Sequence, residues 1–259
     1  MGVIVQGGNT LIQVGRTRVM LNIVEDGLIL FFDPNDNRSY PDSGTSVINI
    51  APQSTNNGVN GTLDASSMYV NPSDGAAYFR VRSDSVVQRL NFSSTITRDT
   101  DDESSTILFY FWSNYDASGQ YGNSQSFFGG KYTNYFALTG GSGTTYGSSA
   151  ETNGGTVGNH DYMANEGGVF QKSAWQSWTN VVDNAVSSNY YNGTLHSTTY
   201  AMNDQSVHSF NKLGSSSTGT SSGARGGDIR MGALLIYNRA LTGEEVRQNL
   251  DILDRRFAN

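Results

Sequence analysis

The chain has 259 residues, 16 Lys and Arg against 23 Asp and Glu for a net charge of −7, 30 glycines and no cysteine. An acidic surface argues against nucleic acid as a partner, and the lack of cysteine excludes disulfides and thiolate metal sites. No stretch approaches the ~20 apolar residues of a membrane span, and Met1–Met20 has neither the basic segment nor the continuous apolar run of a secretory leader. Charged residues make up only 15%, as in turn-rich β proteins.

Met1–Asp26 carries three short apolar pieces: Val3–Val5, Leu11–Val14 and Val19–Val24. They are too small to bury a core of their own. This segment is expected to be an extended arm that either packs on the main domain or docks on a partner. Val3, Val5, Leu11 and Val14 would make the apolar contacts, and Arg16 and Arg18 would add attraction to acidic surfaces. The domain proper is expected to run from Gly27 to Asn259.

Gly27–Pro34 (GLILFFDP) is a strongly apolar strand. Asp33-x-Asn35-x-Asn37 matches the start of a calcium loop, but Arg38 and Gly44 stand where that loop needs Gly and Glu. A turn is expected here rather than a calcium site, and no cofactor is expected elsewhere. Val47–Ile50, Met68–Val70, Ala76–Val81 and, with loose alternation, Ser85–Phe92 are strand candidates. Asn56–Gly61 holds two Asn-Gly turns. Asp99–Glu103 reads as an exposed loop.

Thr106–Trp112 (TILFYFW) is a core strand. Ile107, Phe109 and Phe111 face one way, and Leu108, Tyr110 and Trp112 the other. Ser126–Gly129 and Tyr135–Thr139 continue a sheet. Thr139–Gly158, almost wholly Gly, Ser and Thr, reads as a mobile loop. Val169–Gln171 and Ser177–Asp183 are strands around Trp175 and Trp178, which are expected to be core. Asn189–Gly193 and Thr194–Ser197 form a hairpin across Asn192–Gly193. Ser206–Leu213 is a weaker strand, and Ser215–Gly227 is loop.

Asp228–Phe257 closes the chain. Ile229, Met231, Ala233, Leu235 and Tyr237 alternate with a face that turns apolar halfway along, so the strand is covered on both sides near its end. Thr242-x-x-Glu245 spaces a capping box, and Leu241 and Val246 a hydrophobic staple. Val246, Leu250, Leu253 and Phe257 then fall on one helical face. Many short strands, one helix and no βαβ rhythm predict an all-β, two-sheet antiparallel jelly-roll sandwich with a short C-terminal helix.

The ending IYNRALTGEEV resembles the C-terminal signature of the concanavalin A-like, laminin-G-like jelly-roll domains. Five earlier segments match that family in order: GLILFFDP at Gly27, SYPDSGT and NNGVNGTL after it, WTNVVD at Trp178 and NYYNGTL at Asn189. Asn180 stands where the family often has His. The resemblance spans Gly27 to Phe257. It implies sugar binding, adhesion or a structural role, and the family also includes glycoside hydrolases.

The glucanases of this fold carry E-x-D-x-x-E on one strand, because a retaining enzyme needs two carboxylates about 5–5.5 Å apart. No such run exists here. Asp101–Glu103 lies in a polar loop, Glu244–Glu245 belongs to the capping box and Glu166 stands alone. Nucleophilic catalysis fares no better, since there is no G-x-S-x-G elbow. Tyr115, Tyr121, Tyr132, Tyr135 and Tyr146 lie in or beside polar loops. Aromatic faces beside amides suit a sugar, which offers C–H on one face and hydroxyls at its edge, so these tyrosines are the candidate glycan contacts.

A lectin-like sandwich without a leader, acidic and free of cysteine, with a docking arm, fits the surface of a tailed-phage virion. The expectation is a non-enzymatic capsid-decoration or tail-associated protein. Its partners would be capsid or tail proteins, further copies of itself, and host glycans. A carbohydrate-binding module is the alternative, and a glycoside hydrolase the third reading.

Overall fold

The computed structural model describes residues 2–6, 9–13, 23–52, 58–82, 88–99, 104–113, 125–129, 135–140, 146–151, 173–184, 186–201, 207–214 and 229–257. It is a two-sheet antiparallel sandwich closed by one helix. In chain order the strands are β1 (Gly2–Gln6), β2 (Asn9–Gln13), β3 (Leu28–Phe32), β4 (Ser46–Val47), β5 (Gly61–Leu63), β6 (Tyr69–Val70), β7 (Tyr78–Arg82), β8 (Leu90–Asp99) and β9 (Ser105–Ser113). There follow β10 (Gln125–Gly129), β11 (Tyr135–Gly140), β12 (Tyr146–Glu151), β13 (Ala174–Asp183), β14 (Val186–Tyr191), β15 (Thr194–Ala201), β16 (Val207–Leu213) and β17 (Ile229–Tyr237), then helix α1 (Gly243–Phe257).

One sheet runs β12-β11-β10-β16-β8-β5-β4; the other runs β15-β14-β13-β9-β17-β7-β6, with β3 also on β17. β17 is the hub. Along one edge it pairs with β9 throughout; along the other, Ile229–Met231 pair with β7 and Leu234–Tyr237 with β3. Side chains alternate along the strands, except that β17 shifts register against β9 between Met231 and Ala233; the single face expected for Ile229, Met231, Ala233, Leu235 and Tyr237 is therefore split, the first two facing the other sheet and the last three the helix. Phe79, Phe109, Phe111, Trp178, Ile229 and Met231 point inward and meet Val47, Leu63, Leu90 and Leu213 of the facing sheet. Leu28, Phe31, Leu108, Tyr110, Leu235 and Tyr237 point outward and are covered by Val246, Leu250, Leu253 and Phe257 of α1. This second layer explains why β17 turns apolar on both faces where the helix begins to cover it.

The helix entry follows its sequence signature. Glu245 Oε2 accepts from the Thr242 backbone N–H at 2.8 Å, and Thr242 Oγ1 accepts from that of Glu245 at 3.2 Å. Leu241 and Val246 are both buried. Arg239 adds a fork to Glu245 at 2.6 and 3.0 Å. Arg256, one of two arginines whose charge suits a helix C-terminus, instead turns inward and donates to Asp33, which is fully buried.

Ile23–Asp26, assigned to the arm on sequence, is tied to the closing elements. The Val24 N–H donates to Asn249 Oδ1 at 2.9 Å, and the Tyr237 hydroxyl donates to the Val24 carbonyl at 3.0 Å. Ile23 is buried under α1, and Arg239 reaches Asp26. The expected strand over Val19–Val24 is not formed at Ile23 and Val24, and the Val24 backbone N–H and carbonyl go to side chains instead; Val19–Asn22 lie outside the described residues. In the rest of the arm the described residues are 2–6 and 9–13. β1 and β2 pair with each other as a two-stranded sheet, Val3 opposite Ile12 and Ile4 opposite Leu11.

Two strands depart from expectation. Tyr146–Glu151, read as part of a mobile loop, is β12, and it pairs along all six residues with β11. Its Gly, Ser and Ala content gives no alternation to read; backbone pairing holds it. β8 continues past Phe92 to Asp99 because Ser93, Ser94 and Thr95 lie on an exposed stretch that needs no apolar pattern. The hairpin at Asn192–Gly193 is as expected, with φ of 44° and 73° at those residues, the left-handed conformation its tight turn requires.

Candidate functional site

The outer face of the β17 sheet is only partly roofed by α1. Phe257 marks the end of the roof, and β17 continues past it to Arg230. There the register of four adjacent strands lines up one transverse row. Arg80 of β7 is opposite Arg230 of β17, Arg230 is opposite Trp112 of β9, and Trp112 is opposite Trp175 of β13. The inward course of Phe79, Met231, Phe111 and Trp178 puts all four on the outer face. All four are partly exposed.

The row is held from below. Trp175 stacks on Tyr110, with centroids 5.8 Å apart and planes 12° apart, and meets Phe257 at 5.0 Å and Tyr78 at 6.2 Å. These rings converge because Gly232 has no side chain. A Cβ there would lie 3.0 Å from both Phe257 Cε1 and Trp175 Cζ3, and 3.1 Å from Tyr110 Cδ1. The Tyr110 hydroxyl donates to Asp254 Oδ1 at 2.7 Å, fixing the ring to the last turn of α1. Burial, reinforced by this carboxylate, pushes that hydroxyl's pKa far above its ordinary value, so it stays protonated.

At the open end, the Arg230 guanidinium carbon lies 3.7 Å from the Trp112 ring centroid and 5.1 Å from that of Tyr78. That is cation–π distance on both sides. The arrangement sets two partly exposed indoles and two arginines in one row on the sheet. Exposed aromatic surface of this kind can contact a ligand with an apolar face. The row holds no nucleophile.

Of the sequence-predicted glycan contacts, Tyr115, Tyr121 and Tyr132 lie outside the described residues. Tyr135 and Tyr146 begin β11 and β12 at opposite ends of one hairpin: Tyr135 pairs with Glu151, and Tyr146 with Gly140. Five residues of strand, about 17 Å at the usual rise, separate the two. Val3, Val5 and Leu11 are in the β1–β2 hairpin, while Val14, Arg16 and Arg18 lie outside the described residues. Trp178 is core, as expected. Trp175 is not simply core, because the sheet turns it to the outer face at the limit of the helix. The signal that could have found the row is the polar Arg80 and Arg230 inside otherwise apolar strands.

The remaining polar candidates serve structure. Asp33 Oδ1 accepts from the Asn35 N–H at 2.8 Å, and both ends of the Asn35 amide bond Ala77 backbone, so this is a turn whose oxygens are engaged. Asn180, at the family's His position, is buried and donates to Asn189 Oδ1 at 2.9 Å. Asp101–Glu103 and Glu166 lie outside the described residues.

No protein-family model and no curated protein sequence matches the chain. Solved structures do. The binding domain of Paraclostridial Mosquitocidal Protein 1 has a TM-score of 0.59 at 13% identity, over 88% of this chain and 52% of that one. The receptor binding domain of botulinum neurotoxin D has a TM-score of 0.54 at 12% identity, over 88% and 53%. A Trypanosoma rangeli sialidase in complex with the inhibitor DANA has a TM-score of 0.54 at 9% identity, over 89% and 34%. At such identities the likeness is one of fold: a β-sandwich of the kind found in binding domains. The chain spans about half the length of the two toxin domains, at 52% and 53%.

Proposed function

We propose that this chain is a non-enzymatic binding domain that holds a glycan against the outer face of its β17 sheet. The carrying observation is the partly exposed row Arg80–Arg230–Trp112–Trp175, rigidly backed by Tyr110 and Phe257. Sugar rings stack on aromatic faces, and such faces on strands are better fixed than loop tyrosines. The test is a glycan array read with Trp112→Ala, and with Trp112→Phe as the conservative control. Binding lost in the first and largely kept in the second supports the reading; binding unchanged by both removes the row from it. Release of reducing sugar from a polysaccharide panel, abolished by changing one Asp or Glu, would show an enzyme instead.

The setting we propose is the surface of a tailed-phage virion, with capsid or tail proteins and copies of the chain as partners. What favours it is the β1–β2 hairpin. It pairs with itself and is separate from both large sheets, which leaves it available to add strands to a partner. A chain lacking residues 1–22 should then fold but fail to join particles. Full incorporation of that shortened chain would refute the anchoring role.

A further inference from the structure

We propose that two copies of this chain pair through the β1–β2 hairpin, β2 lying antiparallel against β2 of the second copy with Leu11 opposite Leu11. This rests on the assembly role given to the hairpin above and names its partner. Three observations carry it. The first is that the hairpin is incomplete. Among the described residues its strands pair only with each other, and they join neither large sheet. Two strands alone are marginally stable in water. Alternation places Val3, Val5 and Ile12 on one face and Ile4 and Leu11 on the other, so neither face is wholly polar.

The second observation is the lack of any guard against edge pairing. Natural edge strands are protected by charge, proline, a bulge or short length. Gly2–Gln13 has no charged residue and no proline, both strands are five residues long, and their register runs unbroken. In a chain of net charge −7, a second copy can approach this segment without meeting like side-chain charge.

The third observation is symmetry. A twofold contact must be self-complementary: where residue i meets j, j meets i. β2 reads Asn9-Thr10-Leu11-Ile12-Gln13, which has the same chemistry from either end: amide, β-branched, leucine, β-branched, amide. An axis through Leu11 sets Asn9 opposite Gln13, Thr10 opposite Ile12, and Leu11 opposite itself. The backbone agrees. Gln6 and Asn9 pair across only two intervening residues, so they exchange both backbone hydrogen bonds, and Ile4 with Leu11 is the next such pair. The N–H and C=O groups of Thr10 and Ile12 therefore face away from β1. These are the two residues that the axis sets opposite one another. β1 is less symmetric, since its ends are Gly2 and Gln6.

The experiment follows the purified full chain by sedimentation over a concentration series, and by cross-linking. The chain has no cysteine, so one introduced thiol reports one distance. Leu11→Cys should give a disulfide-linked dimer, because a non-hydrogen-bonded antiparallel pair holds its Cα atoms about 4.5 Å apart, within disulfide reach. Ile4→Cys should stay unlinked, as three strand spacings, about 14 Å, would separate the two copies of that residue. Thr10→Pro removes an outward N–H and leaves the pairing with β1 intact, so it should shift the chain to monomer. Leu11→Lys and Leu11→Glu should each be monomeric alone and should form a mixed dimer when combined. Near-UV circular dichroism checks that the sandwich is intact in every variant.

A chain that sediments as a monomer at every concentration overturns the inference; if it still needs residues 1–22 to enter particles, the anchoring reading stands. A dimer that survives loss of residues 1–22, or in which Leu11→Cys does not link, overturns it by placing the contact elsewhere. A dimer linked through Leu11→Cys supports it even where the shortened chain enters particles, a result that refutes anchoring alone.

Discussion

Arg256 Nη1 donates to Asp33 Oδ2 across 223 positions of sequence, inside the protein, joining the last turn of α1 to the end of β3. Burial pushes the Asp33 carboxyl's pKa up, while the Arg256 charge pulls it back down. Removing one partner strands the other charge in the core. We expect Asp33→Asn or Arg256→Met alone to cost about 3–5 kcal/mol, and the double variant to recover most of the loss. Chemical denaturation midpoints for the three proteins check this. Additive losses would show that the pair does not act as a unit.

Glu245 gives a pH-dependent stability. The Arg239 fork, with help from the Thr242 backbone N–H, lowers its carboxyl's pKa from the ordinary 4.5 to about 2. A depressed carboxylate stabilises the fold above its unfolded pKa, and that contribution is lost as pH falls through the folded value. Melting temperature should therefore drop between about 4.5 and 2, and the drop should be shallower in Glu245→Gln. Thr242→Ala, which removes the other half of the box, should cost ~1 kcal/mol at neutral pH.

The capping box and the apolar face of α1 were legible because their signals are local. Thr242 and Glu245 are three positions apart, and Val246, Leu250, Leu253 and Phe257 follow helical spacing. Period two in Thr106–Trp112 and Asp228–Tyr237 likewise located β9 and β17. The Arg–Trp row was not legible. Its members sit on four separate strands, and only cross-strand register makes them neighbours. The Arg256–Asp33 pair escaped for the same reason, since Arg256 looked like a surface charge at a helix end. β12 escaped because Gly, Ser and Ala carry no alternation.

Leu250 reports on the helix-to-sheet layer. It is buried, and Gly193 of the β14–β15 turn approaches it: a Cβ at Gly193 would lie 3.2 Å from Leu250 Cδ1. Leu250→Ala should cost ~2–5 kcal/mol. An unaltered denaturation midpoint would mean that α1 is not docked.

Gly232 links stability to the row. Its missing side chain lets Phe257, Trp175 and Tyr110 close over the strand. Gly232→Ala should displace Trp175, seen as altered near-UV circular dichroism and weaker glycan binding, with a stability loss of about 1–3 kcal/mol. An unchanged spectrum would show that the rings have room to spare.

A chain begun at Ile23 should be more stable than one begun at Gly27. The longer one keeps buried Ile23 and the Val24 hydrogen bonds to Asn249 and Tyr237. The shorter one leaves buried Asn249 Oδ1 without the Val24 donor, at about 1–3 kcal/mol. Equal melting temperatures would show that residues 23–26 contribute nothing.

The position of β17 near the end of the chain has a consequence for biosynthesis. β3, β7 and β9 all wait for it, and β3 is paired to it across some 200 residues. At ~5–20 residues per second, a ribosome needs on the order of ten seconds or more to travel from one partner to the other. During that interval the edges of β3 and β9 that β17 will cover stay open, β9 having only β13 on its other side, so this sheet closes only after β17 leaves the exit tunnel. A nascent chain stalled before Ile229 is therefore the form most in need of a chaperone.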